Sequence, residues 1–143
     1  MTKEITIQKS LILNTDQQTV WDFLTKKDKL ALWFHPAKAD LVEGEEFALV
    51  GKNDAGEMTN ICWGSVLEMQ VPTLLRYTFT IKPLGGSLTT VTWTLEDLGG
   101  ATRLSLKHEG IEAAAGESYM NLLLALDNGW DKHLASMRDN ATS

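Results

Sequence analysis

Six apolar residues near the C-terminal end, Tyr119, Leu123, Leu126, Trp130, Leu134 and Met137, recur at steps of four, three, four, four and three. That spacing marks one face of an α-helix, and no proline interrupts it. The stripe predicts a helix over about residues 117–138, roughly 30 Å long at 1.5 Å per residue. A helix of that length with a single apolar face needs an equally long apolar surface to lie on.

The preceding residues offer one. From about 38 to 109 the pattern is strand-like, divided by Gly44, Gly51, Gly56, Pro72 and the pairs Gly85-Gly86 and Gly99-Gly100, which read as hairpin turns. In LLRYTFTI, Leu75, Tyr77, Phe79 and Ile81 share one side. In LTTVTWTL, Val91, Trp93 and Leu95 oppose Thr90, Thr92 and Thr94. In TRLSLKHEG, Leu104, Leu106 and His108 oppose Arg103, Ser105 and Lys107. Alternation of this kind describes an antiparallel sheet with one wet face and one that must be covered. Before it, ITIQKSLIL reads as a strand whose alternation slips at Lys9-Ser10, where a bulge is expected. A short helix follows, capped by Asn14 or Thr15, with Thr15 and Gln18 at capping-box spacing and Val20, Trp21, Phe23 and Leu24 facing inward. A second, KDKLALWF, offers Leu30, Trp33 and Phe34 and must end before Pro36. The class is α+β: an antiparallel β-sheet, two short helices after the first strand, and a long C-terminal α-helix across the sheet.

The formal charge of −6, with basic residues scattered, disfavours nucleic acid, which needs clustered Lys and Arg. No apolar run approaches the roughly 20 residues that span a bilayer, so membrane insertion is not expected. The first residues lack the apolar segment of a secretory leader, and a cytoplasmic location is the expectation. The single cysteine, Cys62, reads as a packing residue. The length of 143 residues suits one domain spanning 1–143.

The order of these elements, with Val20-Trp21, Leu32-Trp33-Phe34, Glu43-Gly44 and Phe47, Gly64 and Val66, Pro72 and Leu75, Val91, Trp93 and Leu95, Thr102-Arg103-Leu104, His108 and Gly110, and Gly129-Trp130, resembles one family. It is that of bacterial proteins similar to the activator of the heat-shock protein 90 ATPase, within the START-like (SRPBCC) superfamily to which birch pollen allergen belongs. The resemblance covers nearly the whole chain. It implies a helix-grip fold, in which a curved sheet wraps the long helix, and a cavity between them that holds an apolar ligand in many relatives. It implies no reaction, because a fold of this kind hosts many functions. The eukaryotic activator carries a further N-terminal domain that this chain does not match.

The aromatic residues carry the site expectation. Trp33, Phe47, Tyr77, Trp93 and Trp130 come from separate elements and aim at one interior. With His108 as a polar anchor and Leu123 and Leu126 from the helix, they are the candidate cavity residues for a small hydrophobic or aromatic molecule. A dry, packed core is the competing reading of the same residues. Trp63 is left open, because Gly64 beside it can mark a bulge. No pair of histidines has the spacing of a helical zinc site, and no cofactor motif is present, so neither metal nor cofactor is expected. Asp127 and His133 lie about 120° apart around a helix and do not form a dyad. Binding without catalysis is the preferred function. An enzyme of cyclase, aromatase or hydrolase type is one alternative, with His108, Asp127 or Tyr77 as acid or base. A protein-binding module is the other, its partner a chaperone or a second copy of the chain as a dimer. Gly129 costs the helix roughly 1 kcal/mol relative to Ala, and close approach of a strand or ligand is the expected reason.

Overall fold

The computed structural model describes residues 6–52, 54–116 and 119–141. Its elements in order are β1 (Ile7–Leu13), α1 (Gln17–Thr25), α2 (Lys27–Trp33), β2 (Glu46–Lys52), β3 (Met58–Gln70), β4 (Leu74–Ile81), β5 (Thr89–Asp97), β6 (Thr102–Glu109), α3 (Ile111–Ala115) and α4 (Tyr119–Ala141). The six strands form one sheet in the order β1-β6-β5-β4-β3-β2, every neighbour antiparallel. It is the expected meander from β2 to β6, with β1 added at the far edge. The helices cover its concave side, as in a helix-grip fold: α1 lies against β5 and β6, and α4 reaches α1, α2, α3 and β1.

Side-chain alternation decides which face is covered. Leu75, Tyr77 and Phe79 of β4, Val91, Trp93 and Leu95 of β5, and Leu104, Leu106 and His108 of β6 are all buried in the shared core. Hydrogen bonds tie the helical layer to the sheet from the side. Gln17 Nε2 donates to Leu95 O at 3.1 Å, and Thr102 Oγ1 to Thr15 O at 2.9 Å.

Three expectations are corrected. The bulge at Lys9-Ser10 is absent, since β1 runs in unbroken register along β6 from Ile7 opposite His108 to Leu13 opposite Thr102. Lys9 takes an inward position because its ammonium reaches Asp127 at 2.6 Å and Asp131 at 2.9 Å on α4. The cap of α1 is Asp16, which accepts from the Thr19 amide at 2.8 Å; Gln18 donates instead to Asp22, so there is no capping box. A carboxylate satisfies an orphan helix amide more strongly than a hydroxyl does. Finally, α4 continues to Ala141, because Asn140 Nδ2 donates to Ser136 O and also to Leu32 O, which ties the last turn to α2. Ile5 of the expected first strand, residues 117–118 of the expected helix, and residues 142–143 lie outside the described residues.

The irregularity expected near Gly64 is real. The pairing of β3 shifts register opposite Leu49 and Val50 of β2 on one side, and between its own Val66 and Glu68 on the other. Between them, a Cβ at Gly64 would stand 2.0 Å from Thr78 O, so only glycine lets β3 approach β4 this closely. Trp63 pairs with Ala48 and Thr80, and so lies on the outer face of the sheet.

Candidate functional site

Trp130 sits where α4 meets the sheet. Its ring centre lies 5.3 Å from Phe34, 5.5 Å from Trp93, 5.9 Å from Phe79 and 6.4 Å from His133. Such tilted and edge-on pairs are each worth about 0.5–1.5 kcal/mol beyond their burial.

The indole is also fixed by a hydrogen-bond chain. Trp130 Nε1 donates to His108 Nδ1 at 3.0 Å, so that nitrogen carries no proton. The ring proton is therefore on Nε2, which donates to Thr89 Oγ1 at 2.7 Å, and Thr89 Oγ1 donates onward to Phe79 O at 2.7 Å. His108 is 0 % exposed, and burial lowers its pKa to about 4. It is a neutral imidazole with both nitrogens used, holding Trp130 from behind. A second indole is held the same way, since Trp93 Nε1 donates to Tyr77 Oη at 2.9 Å. Burial pushes the Tyr77 hydroxyl well up from its ordinary value. Trp33 Nε1 donates to Phe23 O at 2.6 Å.

Beside Trp130 the packing opens. Phe34 and His35 after α2, Ile61 and Cys62 of β3, Phe79 and Ile81 of β4, and Ala125, Leu126, Gly129, Trp130 and His133 of α4 line a cleft of about 110 Å³ between sheet and helix. Gly129 helps to make it, because a Cβ there would meet nothing within 4 Å. The expected close approach of a strand at Gly129 is not found; open space adjoins it instead. The helical stripe changes character at the same point. Trp130, Leu134 and Met137 are buried, whereas Tyr119, Leu123 and Leu126 are only partly so. A larger groove of about 480 Å³ runs along β2, β3 and β4 past Phe47, Trp63, Ser65 and Thr78, but no residue of α4 borders it.

Of the candidate residues, Leu126 and Trp130 line the cleft. Trp33, Tyr77, Trp93 and His108 are buried in the core, and Leu123 is partly buried and packed against that core, but none of these five lines the cleft. Phe47 lies tilted against Tyr77 with ring centres 4.9 Å apart, and borders the outer groove. The inward parity of Phe79 and Ile81 and the glycine at 129 were signals for the cleft. His35 carried no periodic signal, because it follows the last turn of α2.

The acid–base candidates do not converge. Asp127 pairs with Lys9, His108 with Trp130 and Thr89, and Tyr77 with Trp93, and none of the three lines the cleft. Among the described residues no three His, Cys, Asp or Glu side chains come together as a metal site. Every buried side-chain nitrogen and oxygen there has a hydrogen-bond partner. No described helix is long and apolar enough to cross a membrane.

The model of the family described as activator of Hsp90 ATPase homolog 1-like protein matches residues 14–141. No curated protein matches the chain by sequence. Among solved structures, protein CV1439 from Chromobacterium violaceum is 23% identical, with a TM-score of 0.76 over 96% of this chain and 97% of that one. CalU16 from Micromonospora echinospora is 24% identical, with a TM-score of 0.72 over 92% and 73%. PFC0360w, an HSP90 activator from Plasmodium falciparum, is 18% identical, with a TM-score of 0.74 over 92% of each chain. Likeness at these identities establishes the fold.

Proposed function

Given that the chain belongs to the activator of Hsp90 ATPase homolog 1-like family, we propose that it binds a small hydrophobic or aromatic molecule, without converting it, in the cleft between sheet and α4. One observation carries this reading. The apolar stripe of α4 passes from buried to partly exposed at Gly129 and Trp130, beside a cleft walled by Phe34, Phe79 and Leu126. A helix that served only to close the core would be covered along its whole stripe. Concave, mostly apolar sites with a few polar groups are the usual form of a small-molecule site. Our reading takes residues 1–143 as one cytoplasmic domain with a regulatory or stress-related role. Native mass spectrometry of the freshly purified protein should find a copurifying small molecule. Tryptophan emission and melting temperature should both shift with apolar ligands. A silent response in all three would refute the proposal.

A second reading follows from the family description and the Plasmodium falciparum neighbour: a module that acts on a chaperone. Exposed apolar side chains, among them Met58, Leu67, Met120 and Leu124, are what such a contact would use. Adding the protein to Hsp90 and following ATP turnover tests it; an unchanged rate removes it.

A further inference from the structure

The cleft has a polar rim. Eleven residues line it and none is Asp, Glu, Lys or Arg, so its only titratable groups are His35, His133 and the buried Cys62 thiol. The two imidazoles stand edge to face with ring centres 5.2 Å apart. Phe34 lies against both, at 4.9 Å from His35 and 4.6 Å from His133.

Their hydrogen-bonding states differ. His133 Nδ1 is 3.2 Å from Trp33 O, a carbonyl that can only accept, so the proton of the neutral ring sits on Nδ1. That leaves His133 Nε2 as a bare acceptor with no partner among the described residues. His35 has no hydrogen-bond partner there at all, so its tautomer is free to follow whatever arrives. Burial, together with the neighbouring His133, holds His35 below its ordinary pKa, and burial does the same to His133 against the opposing bond to Trp33 O. At neutral pH the rim therefore presents one fixed acceptor and one adaptable ring that supplies an N–H.

A group that gives one hydrogen bond and takes one is a hydroxyl. The rest of the cleft restricts what carries it. A volume of about 110 Å³ is somewhat below the roughly 150 Å³ cavity that holds benzene, so one six-membered ring, reaching out at the rim, is the size that fits. The walls are aromatic, and aromatic rings pack on them edge-on or offset.

We propose that the cleft takes a single-ring phenol, its ring among Phe34, Phe79 and Trp130 and its hydroxyl donating to His133 Nε2 and accepting from His35. This rests on the reading of the cleft as a ligand site. An aryl carboxylate is a poorer match, because it brings only acceptors, and a charge, to a rim that holds one acceptor already and no fixed cation.

Titration calorimetry of the full chain with phenol, toluene and benzoate tests the proposal. Phenol should bind about tenfold or more tighter than toluene, the effect of satisfying two polar groups that toluene would bury unpaired. His35→Leu should cut the ratio of phenol to toluene affinity by about threefold or more, leaving only the bond to His133 Nε2, with the melting temperature little changed, since His35 makes no hydrogen bond among the described residues. Nitrogen-15 spectra of the ring nitrogens should show phenol moving His35 and His133 but not His108. Equal binding of toluene and phenol, tighter binding of benzoate, or phenol binding indifferent to His35→Leu would each overturn the phenol assignment and leave the apolar cleft standing. Failure of all three compounds to bind would remove both.

Discussion

His108 shows how a residue that invites a catalytic reading can be spent on structure. Its Nδ1 accepts from Trp130 and its Nε2 donates to Thr89, and the bond from Trp130 requires the neutral ring, because a protonated Nδ1 could not accept. Burial lowers its pKa from 6.5 to about 4. The unfolded chain therefore takes up this proton near pH 6.5 and the folded chain does not, so stability falls as the pH drops from 6.5 towards 4 and levels off below. The full window is worth about 3 kcal/mol. Urea unfolding between pH 7 and 4 should show this slope, and His108→Gln should be less stable at pH 7 with a flatter profile. Glycines give a second pair of tests with opposite signs. Gly64→Ala would set a Cβ 2.0 Å from the Thr78 carbonyl oxygen, and should cost about 2–3 kcal/mol in chemical denaturation. Gly129→Ala meets nothing within 4 Å; it should stabilise α4 by about 1 kcal/mol and weaken ligand binding by narrowing the cleft.

Among the elements, α4 is fastened at its sides and open along its N-terminal half. Ser136 Oγ and Asn140 Nδ2 donate to Leu32 O, Arg138 donates to Ile12 O, and Lys9 bridges Asp127 and Asp131. Burial pulls the Lys9 pKa down, but bonds to Asp127 and Asp131 outweigh it and leave it raised. The lysine therefore keeps its charge through neutral pH, and its contribution to the clamp is lost as pH rises beyond 10.5. Both carboxylates are about half exposed, so Lys9→Ala should cost no more than about 1 kcal/mol, and less in 1 M salt, by denaturant titration. The helical period of α4 and the alternation of β4, β5 and β6 were legible because each encodes a buried face. The direction of Lys9 was not, because a charge at an inward position reads as a broken pattern until its partners on another element are known. Asp16 as the cap of α1 was missed for a smaller reason: three adjacent residues, Asn14, Thr15 and Asp16, can all serve, and the entry angle of the chain chooses between them.

At the scale of the molecule, ligand binding to the folded chain alone must raise its stability. A ligand at about 100 times its dissociation constant adds about 2.7 kcal/mol, which for a chain of this size moves the melting temperature by roughly 8 °C. Scanning calorimetry with and without phenol checks this, and Gly129→Ala should show a smaller shift despite its higher starting point. By itself the sequence determined the order of the elements apart from the short α3, the antiparallel sheet with one covered face, the long helix across it, and the inward set Trp33, Tyr77, Trp93, His108 and Trp130. Local periodicity carries all of these, since each element must bury its own apolar side. Only the tertiary structure decided which of those residues fill the core and which leave space. That depends on how volumes from α2, β3, β4 and α4 add up at one point, a sum no single segment contains. The same holds for His35 and His133, 98 positions apart in the sequence and neighbours only because α4 lies against the end of α2.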